Sequence, residues 1–240
     1  MNRLRITPSV IPNLFTAMNM FCGFLSIINA SQAQYYYAAW LIIIAALFDA
    51  LDGIMARLTN SSSELGVELD SLSDLVSFGA APAFLIYATH FINYNAFGVV
   101  ISSLLLIAGG FRLARFNVQL VGFDKSYFKG LPIPSSAITI AAFVLTYYQK
   151  GAGFQEPIAS FIIPLIIILS FLMVSKIKYD TLPKFSIKGI KSKPYHFGFV
   201  VLSVALLIFT AGKALFYIFV FIILFGIFRH IFNRISKKAL

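Results

Sequence analysis

One cysteine in 240 residues, Cys22, excludes an intrachain disulfide framework, and its apolar neighbours mark it as core packing. Charge is scarce as well. Asp, Glu, Lys and Arg make up 12% of the chain, too few to cover the surface of a soluble domain of this length. Only nine residues are acidic, and the three histidines, His90, His196 and His230, are scattered, which argues against a zinc site built from His or Cys. What fills the chain is apolar: 59% of it is hydrophobic. These residues gather in stretches of about 20, the length of a helix that crosses a ~30 Å hydrocarbon core. Eight stretches are legible, at about 10–30, 36–57, 67–89, 96–115, 132–149, 156–175, 196–212 and 214–232. Barrel strands would be shorter and would alternate in polarity. The expected architecture is therefore an all-α integral membrane protein, a polytopic helical bundle of about eight transmembrane helices. It forms a single membrane domain over residues 1–240, with no room for a soluble one.

The first stretch, with Arg3 and Arg5 before it, has the outline of a signal peptide. Pro12, Asn13 and Asn19 interrupt it, however, and seven more spans follow, so it reads as a retained helix. The 19 basic residues outnumber the 9 acidic ones, yet their distribution points to a membrane and not to nucleic acid. With eight spans, 17 of the 19 fall on the side of the two termini, and only Lys150 and Lys213 on the other. Positive residues flank membrane helices on the cytoplasmic side, so both termini are expected there. The same charge would attract anionic lipid head groups. Tyr35, Tyr36, Tyr37 and Trp40 would then form an aromatic belt at the outer interface. The short, compact chain suggests a prokaryotic plasma membrane.

Six of the nine acidic residues lie within 26 positions, and four of them, Asp49, Asp52, Asp70 and Asp74, stand in apolar surroundings. A carboxylate inside a membrane costs roughly 2.5–3.5 kcal/mol on insertion scales, so it is rarely present without a task. Asp49 and Asp52 are i,i+3 at the end of the second helix, and Asp70 and Asp74 are i,i+4 at the start of the third. Each pair therefore projects from one helical face. The connection around Thr59-Asn60-Ser61-Ser62-Ser63 is short and polar, so the two helices can pack antiparallel with the pairs facing. Gly53 and Ala56 leave space beside the first pair. Converging oxygen ligands suit magnesium, manganese or calcium, and two such ions would balance four aspartates. Two other readings stay open on these grounds. The carboxylates can be tolerated at the interface by pairing with Arg57 and nearby lysines, or they can mark a cation-coupled transporter. Against transport, they cluster at one cytoplasmic end instead of marking a path across the midplane.

The pattern Asp49-x-x-Asp52-Gly53-x-x-Ala56-Arg57, eight residues, then Gly66-x-x-x-Asp70-x-x-x-Asp74 resembles the signature of the CDP-alcohol phosphatidyltransferase family at every fixed position. The resemblance implies a membrane bundle with a six-helix core, usually dimeric, whose polar cavity opens at the cytoplasmic surface. The core would span about 10–175, with two extra helices at about 196–232. It further implies that Asp49, Asp52 and Asp70 bind the metals, two Mg2+ or Mn2+, and that Asp74 contacts metal and serves as base. Gly53, Ala56 and Arg57 would contact the cytidine diphosphate part of a CDP-lipid, with Gly66 packing close beside it. Pro12, Asn13 and Thr16 resemble the family's opening segment of the first helix, near the nucleotide.

That motif does not choose the acceptor. Three further segments resemble the serine-using branch of the family: Ser77-Phe78-Gly79-Ala80-Ala81-Pro82-Ala83, Gly110-Phe111-Arg112-Leu113-Ala114-Arg115-Phe116-Asn117, and Gly130-Leu131-Pro132-Ile133-Pro134-Ser135-Ser136. On this resemblance the substrates are CDP-diacylglycerol and L-serine, with Arg112, Arg115 and Asn117 as serine-binding candidates. Physical chemistry offers partial support, since Arg112 and Arg115 share a helical face and a helix start at Pro132 favours an anion. Glycerol 3-phosphate fits that physics equally well, inositol phosphate is more distant, and choline would be poorly served by arginines.

Overall fold

The structure is a computed structural model and describes residues 10–59, 63–121, 130–177, 179, 210 and 212–236. Among these residues there are seven main helices and no strand. They are α1 (Val10–Ser31), α2 (Tyr35–Thr59), α3 (Glu64–Phe91), α4 (Asn95–Val121), α5 (Ile133–Tyr147), α6 (Ile162–Val174) and α7 (Ala214–Ser236). A 3₁₀ turn, Ala159–Phe161, leads into α6. The expected seventh span, at 196–212, except for residues 210 and 212, and the basic residues Lys184 to Lys193 lie outside the described residues.

Small side chains decide how the first two helices meet. Ala38, Ala39, Ile42 and Ala45 are fully buried along one face of α2, and Ser26 and Ala30 are buried on α1. Without bulky groups the backbones come close, and Ser26 Oγ donates to the carbonyl of Ala38 at 2.8 Å. The turn between them is tight, with Ala33 at φ 58° and Gln34 N–H donating to Asn29 O at 2.8 Å.

Helix α3 is the most enclosed of the long helices. It begins at Glu64 and not near residue 67, because Ser63 caps it: the Ser63 hydroxyl accepts from Gly66 N–H at 3.0 Å. Its course is not uniform. Directly after Asp74 the helix widens into a π segment, Leu75–Ala80, and it does so again at Tyr87–Phe91. Such segments occur often beside functional sites.

Among the described residues, five helices are long and apolar enough to cross a membrane: α1, α2, α3, and the stretches Asn95–Val118 of α4 and Ala214–Asn233 of α7. The chain is a multi-pass helical membrane protein. The expected spans at 132–149 and 156–175 come out shorter, as α5 with 15 residues and α6 with 13. At 1.5 Å per residue these reach only about 20–22 Å, less than the ~30 Å core. The cause lies in their connection, which turns through Gly151 and Gly153 at φ +87° and +70°. Helix α5 tolerates its shortness because it is enclosed by protein, with ten of its residues buried. Large apolar side chains such as Leu14, Phe24, Leu47, Phe111, Phe171 and Phe228 cover the outside of the bundle, as a lipid-facing surface requires.

Candidate active site

Helices α2 and α3 run antiparallel, so the end of α2 and the beginning of α3 share one end of the bundle. There, Asp49 of α2 meets Asp70 and Asp74 of α3, with one carboxylate oxygen from each lying within 4.8 Å of the others. The two helices do not pack directly at this end, as the spacing had suggested. The first half of α3 leans on α1 instead, so the aspartates reach toward each other across a gap. Two ionised carboxylates no more than 4.8 Å apart repel by roughly 3 kcal/mol or more at an effective dielectric of ~20, a cost that a cation between them would offset.

The four aspartates are not equivalent. Asp52 and Asp74 are buried, at 7% and 8% exposure, and each is held from α1. Thr16 Oγ1 lies 3.0 Å from Asp52 Oδ2 and 3.2 Å from the carbonyl of Pro12, so its one proton serves one of the two at a time. Asn19 Nδ2 donates to Asp74 Oδ1 at 3.2 Å. Asp49 and Asp70 are less enclosed, and Asp70 Oδ1 is buried with no hydrogen-bond partner. A set of hard carboxylate oxygens, with one left orphaned, fits a divalent cation of the magnesium or manganese kind. Asp49, Asp70 and Asp74 would hold it. Asp52 stands beside this triad, within electrostatic reach of Asp49 and Asp70.

The surroundings fit a charged ligand. A Cβ added to Gly53 would meet nothing within 4 Å, so the flank of α2 beside Asp49 and Asp52 is open. Ala56 is half-buried one turn on, and Arg57 is exposed near the end of α2. A Cβ added to Gly66 would meet Ser63 Oγ at 3.1 Å and Asn13 Oδ1 at 3.5 Å, so the glycine permits close approach of the α1 start to the α3 start.

The three serine-binding candidates on α4 are separated by the fold. Arg112 faces the carboxylates and interacts electrostatically with Asp74 and Asp49, and its Nε is buried without a hydrogen-bond partner. Arg115 turns to α6, where its Nη1 donates to the carbonyl of Val174 at 3.3 Å. Asn117 bridges back to α3, accepting from Ser71 Oγ at 3.1 Å and donating to Glu68 Oε2 at 3.4 Å. The segment before α5 is fastened to the end of α6: Gly130, at φ +94°, donates to Ile177 O and Leu131 to Leu172 O. Sequence reasoning read Asn19 only as an interruption of the first span and Ser77 only as part of a branch segment, and it passed over Ser73. A polar residue three positions after Thr16 in an otherwise apolar helix was the available signal.

The family model of the CDP-alcohol phosphatidyltransferases matches residues 9–173. The chain belongs to that family. Among curated relatives, it is 37% identical over 227 residues to the CDP-diacylglycerol–serine O-phosphatidyltransferase of Helicobacter pylori strain J99, covering 94% of this chain and 92% of the relative. Against the protein of the same name from H. pylori strain 26695 the figures are 40% over 176 residues, 72% of this chain and 73% of the relative. The archaetidylserine synthase of Methanothermobacter thermautotrophicus is 40% identical over 182 residues, 75% of this chain and 73% of its own. The four aspartates, and everything α1 does to hold them, fall inside the matched CDP-alcohol phosphatidyltransferase segment.

Proposed function

We propose that this CDP-alcohol phosphatidyltransferase moves the phosphatidyl group of CDP-diacylglycerol to the hydroxyl of L-serine, giving phosphatidylserine and CMP. The observation that carries the reading is the convergence of Asp49, Asp70 and Asp74 from two helices, in a chain aligned along 94% of its length with a serine O-phosphatidyltransferase. The serine oxygen attacks the lipid-bearing phosphorus, the bond from that phosphorus to the oxygen of CMP breaks, and the hydroxyl proton passes to Asp74. A divalent ion held by Asp49, Asp70 and Asp74, with Asp52 beside them, would supply positive charge at the diphosphate. Two ions, Mg2+ or Mn2+, would match four aspartates. Gly53, Ala56, Arg57, Gly66, Asn13 and Thr16 are proposed for the CDP end of the donor; the open space at Gly53 supports this.

For the acceptor, the position of Arg112 supports a contact to the serine carboxylate, while Arg115 and Asn117 are already engaged elsewhere and would shape the site from behind. The core would comprise residues 10–175, with the last two helices as an addition. The basic asymmetry supports placing both termini and the carboxylate end at the cytoplasmic face; a prokaryotic plasma membrane and a homodimer complete the proposal.

The test is CMP release by purified protein in detergent, supplied with CDP-diacylglycerol and, in turn, serine, glycerol 3-phosphate and inositol phosphate. Serine-dependent release that needs Mg2+ or Mn2+ and stops with a chelator is expected. Faster release with glycerol 3-phosphate would reassign the acceptor, and no acceptor-dependent release at all would remove the enzyme reading.

A further inference from the structure

Helix α1 carries no charged residue and contributes nothing to the aspartate motif, yet it touches two of the four aspartates. Thr16 and Asn19, one turn apart, each give a side chain to a carboxylate. The same two residues are gripped through their main chain from α3. Ser73 Oγ donates to Thr16 O at 2.9 Å, and Ser77 Oγ donates to Asn19 O at 2.8 Å. One turn further along α1, Gly23 lies so close to Ser77 that a Cβ has no room. The α1–α3 contact is therefore fixed by backbone approach and two serine clips, independently of what the Asn19 side chain does.

That side chain is fully buried. Its amide can serve the Asp74 carboxylate only through Nδ2, because a carboxylate accepts and does not donate. The amide oxygen is left buried and without a partner. An unpaired buried oxygen destabilises the fold, and an apolar residue of similar size would avoid that cost. The amide's hydrogen bond goes to Asp74. We infer that Asn19 is a positioning residue for Asp74: by occupying Oδ1 it fixes the rotation of the carboxylate and leaves Oδ2 to receive the proton of the acceptor hydroxyl. This rests on the proposed role of Asp74 as base.

The test uses full-length protein in detergent and compares Asn19→Leu, Asn19→Ala, Asp74→Asn and Ser26→Ala. Ser26→Ala removes a buried α1 hydrogen bond remote from the aspartates and serves as a structural control. Turnover, the KM of serine, Mn2+ affinity from the resonance of free Mn2+, and the melting temperature are measured for each. Both Asn19 variants should lose about ten- to a hundredfold in kcat, the range of a misplaced general base. Serine KM and Mn2+ affinity should stay within about threefold, while Ser26→Ala shifts the melting temperature and keeps its kcat. The inference is overturned if either Asn19 variant turns over within threefold of the parent. It is also overturned if kcat falls only in step with Mn2+ affinity, or in step with melting temperature as in Ser26→Ala. If Asp74→Asn itself turns over normally at saturating Mn2+, the base assignment fails and this inference with it; if Asp74→Asn is inactive and the Asn19 variants are not, the inference fails alone.

Discussion

The two ends of the bundle are built from opposite materials. At one end, Asp49, Asp70 and Asp74 press like charges together and leave polar atoms of Asn19, Asp70 and Arg112 without partners. At the other, rings pack on rings. Tyr148 meets Tyr35 edge-on at 5.0 Å, Phe143 stacks on Phe154 at 5.2 Å, and Phe216 lies 5.5 Å from both Phe143 and Tyr147. Hydrogen bonds there close onto backbone carbonyls, from Tyr35 to Ala88 at 3.1 Å and from Tyr36 to Tyr148 at 2.6 Å. The aromatic end is held by ring packing, whereas the carboxylate end sets like charges side by side, a repulsion that a cation would relieve. One end holds the helices in register so that the other can keep groups together that would otherwise separate.

Five substitutions would test that contrast, taken in order of decreasing effect. Asp74→Asn should reduce turnover by about 10²–10⁴-fold, the range of general-base catalysis. Because it removes a charge from a repelling cluster, it should also raise the melting temperature of metal-free protein, as is common where function costs stability. A fall in melting temperature would mean that the cluster is not strained. Phe143→Ala, at the other end, should cost about 3–5 kcal/mol of stability by cavity formation. It should leave the KM of serine unchanged in protein that remains folded, measured by thermal melts alongside CMP release.

Arg112→Leu comes third. If its guanidinium holds the acceptor carboxylate, the lost charge-assisted bond is worth about 1.5–3 kcal/mol, or roughly ten- to a hundredfold in serine KM. Arg115→Leu should change that KM by less than about threefold, since its guanidinium is committed to Val174 O. Equal effects of the two would show that the fold does not separate them. Tyr36→Phe is the smallest, about 0.5–1.5 kcal/mol of stability from one hydrogen bond, with no kinetic change.

The parts of this molecule legible beforehand were those governed by spacing along one helix. Length and hydropathy located α1 to α4 and α7 to within a few residues, and i,i+3 and i,i+4 intervals placed the aspartates on shared faces. Spacing failed where a partner from another element decided the outcome. Arg112 and Arg115 lie on one face by sequence, but α6 offers a free carbonyl at Val174 and takes one of them. Asn19 looked like an interruption of an apolar span because its purpose, Asp74, lies 55 residues away. The expectation that α2 and α3 would pack against each other at the aspartates ignored α1, whose serine-gripped carbonyls hold α3 instead. The early start of α3 was readable in principle, because Ser63 followed by Gly66 and preceded by polar residues is a plausible cap.

The widened segment Leu75–Ala80 has a consequence for what mutations α3 can accept. A π segment amounts to one surplus residue in an α-helix, and each residue turns the helix by about 100°. Asp70 and Asp74 lie ahead of this surplus, and Ala88, whose carbonyl receives the Tyr35 hydroxyl, lies behind it. Six residues at the wider π pitch turn the chain about as far as five at the α pitch, so deleting one between 75 and 80 would let the helix relax to regular winding and keep its far half in phase with the aromatic end. Side-chain exchanges in that stretch leave the phase untouched. A one-residue deletion scan through α3 would therefore find its mildest effect there, whereas a deletion in a regular stretch of the helix would rotate everything beyond it by about 100°.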